Sequence, residues 1–507
     1  MVTEHRETER TYEAGTAGFA LPPLDGLPGV ASVSDLQQET LEAEYYDTRD
    51  LRLINAGVTL RRRRGGADEG WHLKLPAGED TRRELRRPLE EHETTVPPEL
   101  TGLVRAYSRG EPLGPVAHIT TVRRRRTLMD ADGTSLAEVV ADDVMSQTMG
   151  RTTTISSWQE AEVELTGGDL DLLKAADRLL RRSGLRRAST SVKLARALAD
   201  RLAGSPPGTP LTAASTAGDV VLAYLRAQAG QMKDADPLVR RAEPGSVHDM
   251  RVASRRLRST LRSFRAILRA QDTRHLRDEL RWLGRVLGAA RDGEVLAERL
   301  DEHLRQLPRE LVMGPVAARL RLHFAPREQA AAQSVAEALN SGRYLALLDE
   351  LDRLLTSPPL TAAAARPAGD ELPGAVARAD KRTRKRMRRA LRLPSGAERE
   401  TALHSARKAA KRARYAAEVL RPASGQPAKR FTKKMKKIQS VLGDHQDAVI
   451  TRGALRELGA VAALAGENAF AYGVMHEREH AGAGRLQRRA EKVWDRASRA
   501  KYRRWFT

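Results

Sequence analysis

The stretch Trp158 to Leu165, WQEAEVEL, sets carboxylates and apolar residues on alternate positions. In a β-strand successive side chains point to opposite faces, so Glu160, Glu162 and Glu164 share one face and Ala161, Val163 and Leu165 the other. Taken alone this is an antiparallel strand with one solvated face. Other segments of the N-terminal part are built the same way. Glu7, Glu9, Thr11 and Glu13 fall on one face of a first strand, Arg61 and Arg63 share a face in Thr59–Arg64, and His72 and Lys74 oppose Trp71, Leu73 and Leu75. Asp130–Gly133, DADG, reads as a hairpin turn between two such runs. Like charges two residues apart repel unless a counter-charge sits between them. A closed barrel supplies one, with carboxylates holding a divalent cation and Arg and Lys holding phosphate oxygens. An oxygen-only donor set suits Mg²⁺ or Mn²⁺ over zinc.

The pattern changes after Ala203–Gly218, AGSPPGTPLTAASTAG, a Pro-, Gly-, Ser- and Thr-rich linker. Long Ala/Leu/Arg segments of helical period follow, divided near Thr361–Gly374. The two halves resemble each other. HDMRVASRRLR begins at His248 and HSARKAAKRAR at His404, and LGAARD (Leu287–Asp292) matches LGDHQD (Leu442–Asp447). These landmarks recur at one spacing, which identifies a duplicated helical unit. His248, Arg251, Arg255, Arg258 and Arg262 form one helical stripe, repeated by His404, Arg407, Lys411 and Arg414, with Lys433 and Lys437 in a further strip. Solvated helices intersperse Glu among such cations, yet Arg251 to Arg269 contains no acidic residue. So many cations in register are unfavourable without a bound polyanion.

Charge placement agrees. Of the net +22, residues 1–210 carry 29 Lys and Arg against 33 Asp and Glu, while residues 211–507 carry 59 against 33. The whole basic excess lies in the C-terminal part, pointing to a polyanionic partner there. With no cysteine, disulfide frameworks and thiolate metal sites are excluded. MVTEHRETER lacks the apolar core of a signal peptide, and no run approaches the ~20 apolar residues of a membrane span. A cytoplasmic protein is the expectation.

The blocks ETER, YYDTRDLRLINAGVTLRRR, WHLKLP, DADGTSLAEVVADD, EAEVEL and SVKLARAL, in that order over about residues 3–200, resemble the CYTH family of triphosphate tunnel proteins. The paired HxxRxxxRRxR and LGxxxD blocks from about Asp219 onward resemble the CHAD family. The resemblance implies an α+β protein. Its first part is an N-terminal eight-stranded antiparallel β tunnel, the triphosphate tunnel fold, over 1–202. A linker at 203–218 leads to a C-terminal all-α duplicated helical bundle over 219–507, with repeats at about 219–360 and 373–507. It further implies that Glu7, Glu9, Glu162 and Glu164 hold Mg²⁺ or Mn²⁺, that Arg61, Arg63, Lys74, Arg123, Arg125 and Lys193 grip phosphate, and that Glu7, Glu9 and Lys74 serve catalysis. The family's opening ExExK ends here in Thr11, which removes one cation from a site that works by positioning and charge.

The expected function is therefore binding of inorganic polyphosphate by the helical part, with metal-dependent hydrolysis of inorganic triphosphate in the tunnel. His248 and His404 fit phosphate donors that strengthen on protonation, with satisfied core histidines as the alternative. Asp292 and Asp447 are expected to pair with basic residues of their own repeat. The competing readings are a non-catalytic polyphosphate-binding or granule-associated protein, favoured by Thr11, and a nucleic-acid binder. Against the latter stand 4% aromatic content and the lack of a nucleic-acid module.

Overall fold

A computed structural model describes residues 3–506 except 15–18, 79, 91–92, 151, 189, 191 and 203–209. It divides into two compact units, Met1–Gly208 and Thr209–Thr507. Residues 203–209 of the expected linker lie outside the described ones. Its last two residues are helical instead: Thr216 caps the first helix of the second unit by accepting from Asp219 N at 3.1 Å, so that helix starts at Ala217.

The first unit is a closed antiparallel barrel of eight strands: β1 (Thr3–Glu13), β2 (Gln37–Asp47), β3 (Thr59–Arg64), β4 (Gly70–Pro76), β5 (Thr81–Arg87), β6 (Gly114–Met129), β7 (Ser135–Thr148) and β8 (Thr154–Leu165). Around the barrel they run β1-β5-β4-β3-β2-β6-β7-β8, and β8 pairs back onto β1, with Glu9 opposite Glu164 and Thr11 opposite Glu162. The DADG turn joins β6 to β7. Asp130 Oδ1 accepts from Asp132 N and Thr134 N, and Gly133 takes φ 77°, a left-handed value that costs glycine little.

The barrel is apolar outside and largely charged within, apart from an apolar cluster in which Ala43, Tyr45, Ala117, Ile119 and Val144 pack with Leu194 and Leu198. Outside, Tyr12, Val139, Ala161 and Val163 pack under helix α1 (Leu170–Arg182) through Leu172, Leu173 and Leu180. On another side Leu60, Trp71, Leu73 and Leu85 pack under Leu100, Leu103 and Tyr107. Helices thus remove the apolar face from water, which leaves the alternate residues of every strand to line the interior. The YYDTRDLRLINAG block is largely structural. The buried Asp47 carboxylate accepts from the amides of Thr48, Leu53 and Ile54 at 2.6, 2.9 and 3.0 Å and ties the turn after β2. A short helix, α2 (Lys193–Ala197), follows β8 and α1.

The second unit is all helical: α3 (Ala217–Arg240), α4 (Ser246–Ser263), α5 (Arg274–Arg305), α6 (Val316–Asn340), α7 (Gly342–Thr356), α8 (Pro373–Arg392), α9 (Ala397–Val419), α10 (Arg421–Leu464) and α11 (Phe470–Ala497). The HxxRxxxRRxR blocks lie on α4 and α9, and the LGxxxD blocks on α5 and α10. Each basic helix packs on the helix before it and the one after it, and α4 also packs on α9. Leu300, Leu320, Phe324, Leu455 and Met475 form one core of the unit. Among the described residues no helix is long and apolar enough to cross a membrane.

Candidate tunnel site and basic helical face

Inside the barrel, charge gathers at two places. At the first, Asp142 of β7 and Glu160 and Glu162 of β8 bring carboxylate oxygens within 4.8 Å of one another. Lys193 at the start of α2 sends Nζ among them, 2.6 Å from Glu160, 2.7 Å from Glu162 and 2.9 Å from Asp142. Arg123 forks onto Asp142 at 2.9 and 2.7 Å and reaches Glu162 at 2.9 Å. Against the cost of burial, Lys193 and Arg123 hold the Glu162 carboxyl well below the usual carboxylate range.

The second place centres on Glu84 of β5, which is fully buried. It meets His72 Nδ1 at 2.9 Å, Lys74 at 3.7 Å and Arg61 at 3.8 Å, and pairs with Arg86. Lys74 also lies 2.5 Å from Glu7, and Arg86 3.4 Å from it. Burial pushes the Glu7 carboxyl up, whereas Glu84, equally sequestered, is held down by Lys74, His72 and Arg61. Burial also keeps His72 neutral, down at about 3. Arg63 pairs with Asp68, and burial followed by the cations of Arg61 and Arg123 pushes it down to about 9. Between the two places, burial and then Glu7 push Glu164 up to about 7. Thr11 is 3% exposed, and its hydroxyl has no hydrogen-bond partner among the described residues.

Arg61, Arg63, Lys74, Arg123, Lys193, Glu7, Glu9, Glu162 and Glu164 thus all stand on interior-facing positions. Arg125 lies further along β6, bonded to Gln37 at 2.8 Å and 3.6 Å from Glu138, apart from the carboxylate triad. Arg10, the neighbour of Thr11 on the opposite face of β1, lies on Asp80 at 3.1 Å and adds no cation to the interior. Of the four carboxylates expected to hold metal, only Glu162 belongs to the triad. Glu7 is taken up by Lys74 and Arg86, and Glu9 stands 3.8 Å from Arg82. Asp142 and Glu84 were missed. Asp142 shares VVADDV with Asp143 and Glu84 stands among arginines in TRRELRR, and each segment reads as a solvated strand until closure turns it inward. The triad's oxygen-only donors fit a hard divalent cation, which would take the place now held by the Lys193 ammonium.

On the helical unit, the stripes of α4 and α9 meet. Burial, and then the cations of Arg255, Arg407, Arg251 and Arg414, push the Lys411 amine down to about 6. Arg251 pairs with Asp292 at 2.8 Å, Arg255 donates to Tyr415 Oη at 3.1 Å and Arg414 lies 3.2 Å from Glu418. Among the described residues Arg258, Arg262, Arg407 and Lys411 have no carboxylate at ion-pair distance. Burial and neighbouring cations lower both His248 and His404, which disfavours the charged imidazolium ahead of a ligand. Lys433 and Lys437 are exposed on α10.

Family models match in the order of the two units: a CYTH domain over residues 28–196 and a CHAD domain over 223–456. An uncharacterized protein of Mycobacterium tuberculosis, found in strains CDC 1551 and H37Rv, is 37% identical over 492 residues, covering 94% of this chain and 93% of the relative. The chain belongs to the CYTH–CHAD family. Among solved structures, PptA from Streptomyces chartreusis aligns at 23% identity and TM-score 0.48 over 55% of this chain and 100% of that one. The CHAD domain from the plant Ricinus communis aligns at 24% identity and TM-score 0.46 over 59% and 98%. By the residues the two family models match, the barrel is a CYTH unit and the helical bundle a CHAD unit.

Proposed function

We propose that the CHAD unit binds inorganic polyphosphate and that the CYTH unit binds triphosphate with a divalent metal and hydrolyses it slowly. The observation that carries the first part is the packing of α4 on α9, which brings the basic stripes of the two repeats together around Lys411. A chain of singly charged phosphates is the ligand that matches a line of cations without base stacking, and aromatic side chains are scarce. In the tunnel, Asp142, Glu160 and Glu162 would hold Mg²⁺ or Mn²⁺, which supplies neutralisation of phosphate charge. Arg61, Arg63 and Arg123 would bind phosphate oxygens, Lys74 would fix their position beside Glu7, and Lys193 would join them once displaced from the triad. Thr11 leaves the attacking end one cation short, which argues for grip over turnover.

Competition binding tests the first part. Long-chain polyphosphate should displace DNA from the full-length protein, DNA should fail to displace polyphosphate, and Arg407→Gln with Lys411→Gln should weaken polyphosphate binding at least ten-fold in order of magnitude. Displacement of polyphosphate by equimolar DNA would sink that reading in favour of a nucleic-acid binder. Phosphate release from tripolyphosphate with Mg²⁺ or Mn²⁺ tests the second part, and a null result in folded protein leaves a non-catalytic binder.

A further inference from the structure

The repeat alignment extends beyond the histidine landmarks. Ala217 and Pro373 open α3 and α8, Arg256 matches Arg412, and Arg262 matches Glu418. Arg256, Arg262, Arg412 and Glu418 lie where α4 packs on α9, and they make the two ends of that contact unlike. At one end Glu418 is a buried hub: it accepts from Tyr224 Oη at 3.3 Å and lies 3.4 Å from Arg256 Nε and 3.2 Å from Arg414 Nε. At the matching end the place of Glu418 is taken by Arg262. There α8 carries Arg378, Arg382 and Arg386 where α3 carries Leu222, Arg226 and Gly230.

The result is a cleft lined by Arg262, Arg378, Arg382, Arg386 and Arg412, with Ser263 and three alanines completing the wall and no carboxylate in it. Arg386 donates to Ser405 O at 3.1 Å. Among the described residues Arg262, Arg378, Arg382 and Arg412 have no ion-pair partner. The half-buried Arg412 feels the crowding: burial, then Arg262, Arg386 and Arg382, push it down to about 10. Convergent guanidinium forks present planar pairs of N–H donors, the geometry that matches a phosphate oxyanion.

We propose that this cleft is a second oxyanion site, built for a doubly charged phosphate group: the terminal residue of a phosphate chain, or free orthophosphate. A terminal phosphate carries a second ionisable oxygen with pKa near ~6, so it brings up to two charges where an inner residue brings one. Five guanidinium groups without a carboxylate favour the end over the middle. Arg262 is also the last residue of the α4 stripe, so a chain lying along that stripe runs out into the cleft. Because Glu418 neutralises the pseudo-equivalent end, the contact holds a chain end on one side only. For chain ends this deepens the polyphosphate reading and rests on it.

The test uses full-length protein and short polyphosphate whose ends are either free or capped as phosphoramidates, which removes the second ionisation. Wild type should bind free-ended chains roughly ten-fold more tightly than capped ones. Arg378→Gln with Arg382→Gln changes two exposed, unpaired side chains, so the fold and melting temperature should hold while the preference for free ends disappears and capped-chain affinity stays. Titration with orthophosphate alone separates the sources. One equivalent bound by wild type beyond that bound by the double variant places free phosphate in the cleft, and end preference without it confines the cleft to chain ends. Equal affinity for capped and free chains, with orthophosphate binding unaltered by the double variant, would overturn the proposal. Failure of wild type to bind any chain would instead overturn the polyphosphate reading, leaving the orthophosphate titration to decide the cleft.

Discussion

Arg407 lies over Gly443 in the second CHAD repeat as Arg251 lies over Gly288 in the first. A Cβ on either glycine would meet the guanidinium Nη2, at 3.2 Å and 3.4 Å respectively. The recurring Leu-Gly of the LGxxxD blocks thus makes room for an arginine of the preceding basic helix. The acidic residue that closes the first block, Asp292, then pairs with that same arginine.

Gly443→Ala should therefore separate stability from binding. A helix-interior glycine changed to alanine gains up to ~1 kcal/mol, offset in part by the few tenths of an ångström that Arg407 must yield. Thermal melting should change little, while polyphosphate affinity falls several-fold. Unchanged affinity would show that the placement of Arg407 does not matter to the ligand.

Lys193→Met removes the ammonium from the triad and leaves Arg123 alone against Asp142, Glu160 and Glu162. Breaking a buried ionic cluster in this way costs about 3–5 kcal/mol. Mn²⁺ should restore much of that loss in the variant and stabilise wild type less, since in wild type the ion competes with Lys193 for the same oxygens. Melting curves with and without Mn²⁺, together with the resonance signal of bound Mn²⁺, report this directly. A variant insensitive to Mn²⁺ argues against the triad as a metal site.

Thr11→Lys puts a cation opposite Glu162, at the one interior position where the family's opening motif is broken. Recovering one electrostatic donor should raise the rate of tripolyphosphate hydrolysis by roughly 10²–10³. If the rate stays flat while Mn²⁺ still binds, the tunnel is built to hold its ligand and not to cut it.

Lys411 supplies a pH dependence. Its amine sits at about 6 in the folded CHAD unit and near ~10.4 in an unfolded chain. Between those values the unfolded state binds the extra proton, so stability of the unit rises with pH across that window and is lowest below it. A bound polyanion restores the proton, and binding at pH 8 should take up close to one. His248 and His404, lowered from an ordinary value of 6.5, contribute only in more acidic solution. Binding enthalpies in buffers of different ionisation heat read the uptake, and Lys411→Met should abolish it at pH 8. Proton uptake that survives in the variant would place the titrating group elsewhere.

Much of this protein is legible in one dimension because its signals are local. Period-two alternation in ETERTYE, WHLKL and EAEVEL assigns faces to strands with no knowledge of the fold. The three- and four-residue spacing of Arg251, Arg255, Arg258 and Arg262 assigns a stripe to a helix in the same way. The duplicated histidine and LGxxxD landmarks announce two repeats, and the charge balance says which unit meets a polyanion.

What only the tertiary structure decided is which charges become neighbours. Closure of β8 onto β1 turned the polar faces inward, so Asp142 and Glu84, carboxylates in ordinary-looking strands, became the hubs of the interior. Lys193, 51 residues along the chain from Asp142, reaches it only because α2 returns to the barrel. In the CHAD unit the stripes were visible separately, but their meeting was not, nor was the choice of Glu418 at one end of that contact and Arg262 at the other. Alternation and helical period are properties of neighbouring residues. Charge pairing acts across space, and only the folded chain sets the distances on which it depends.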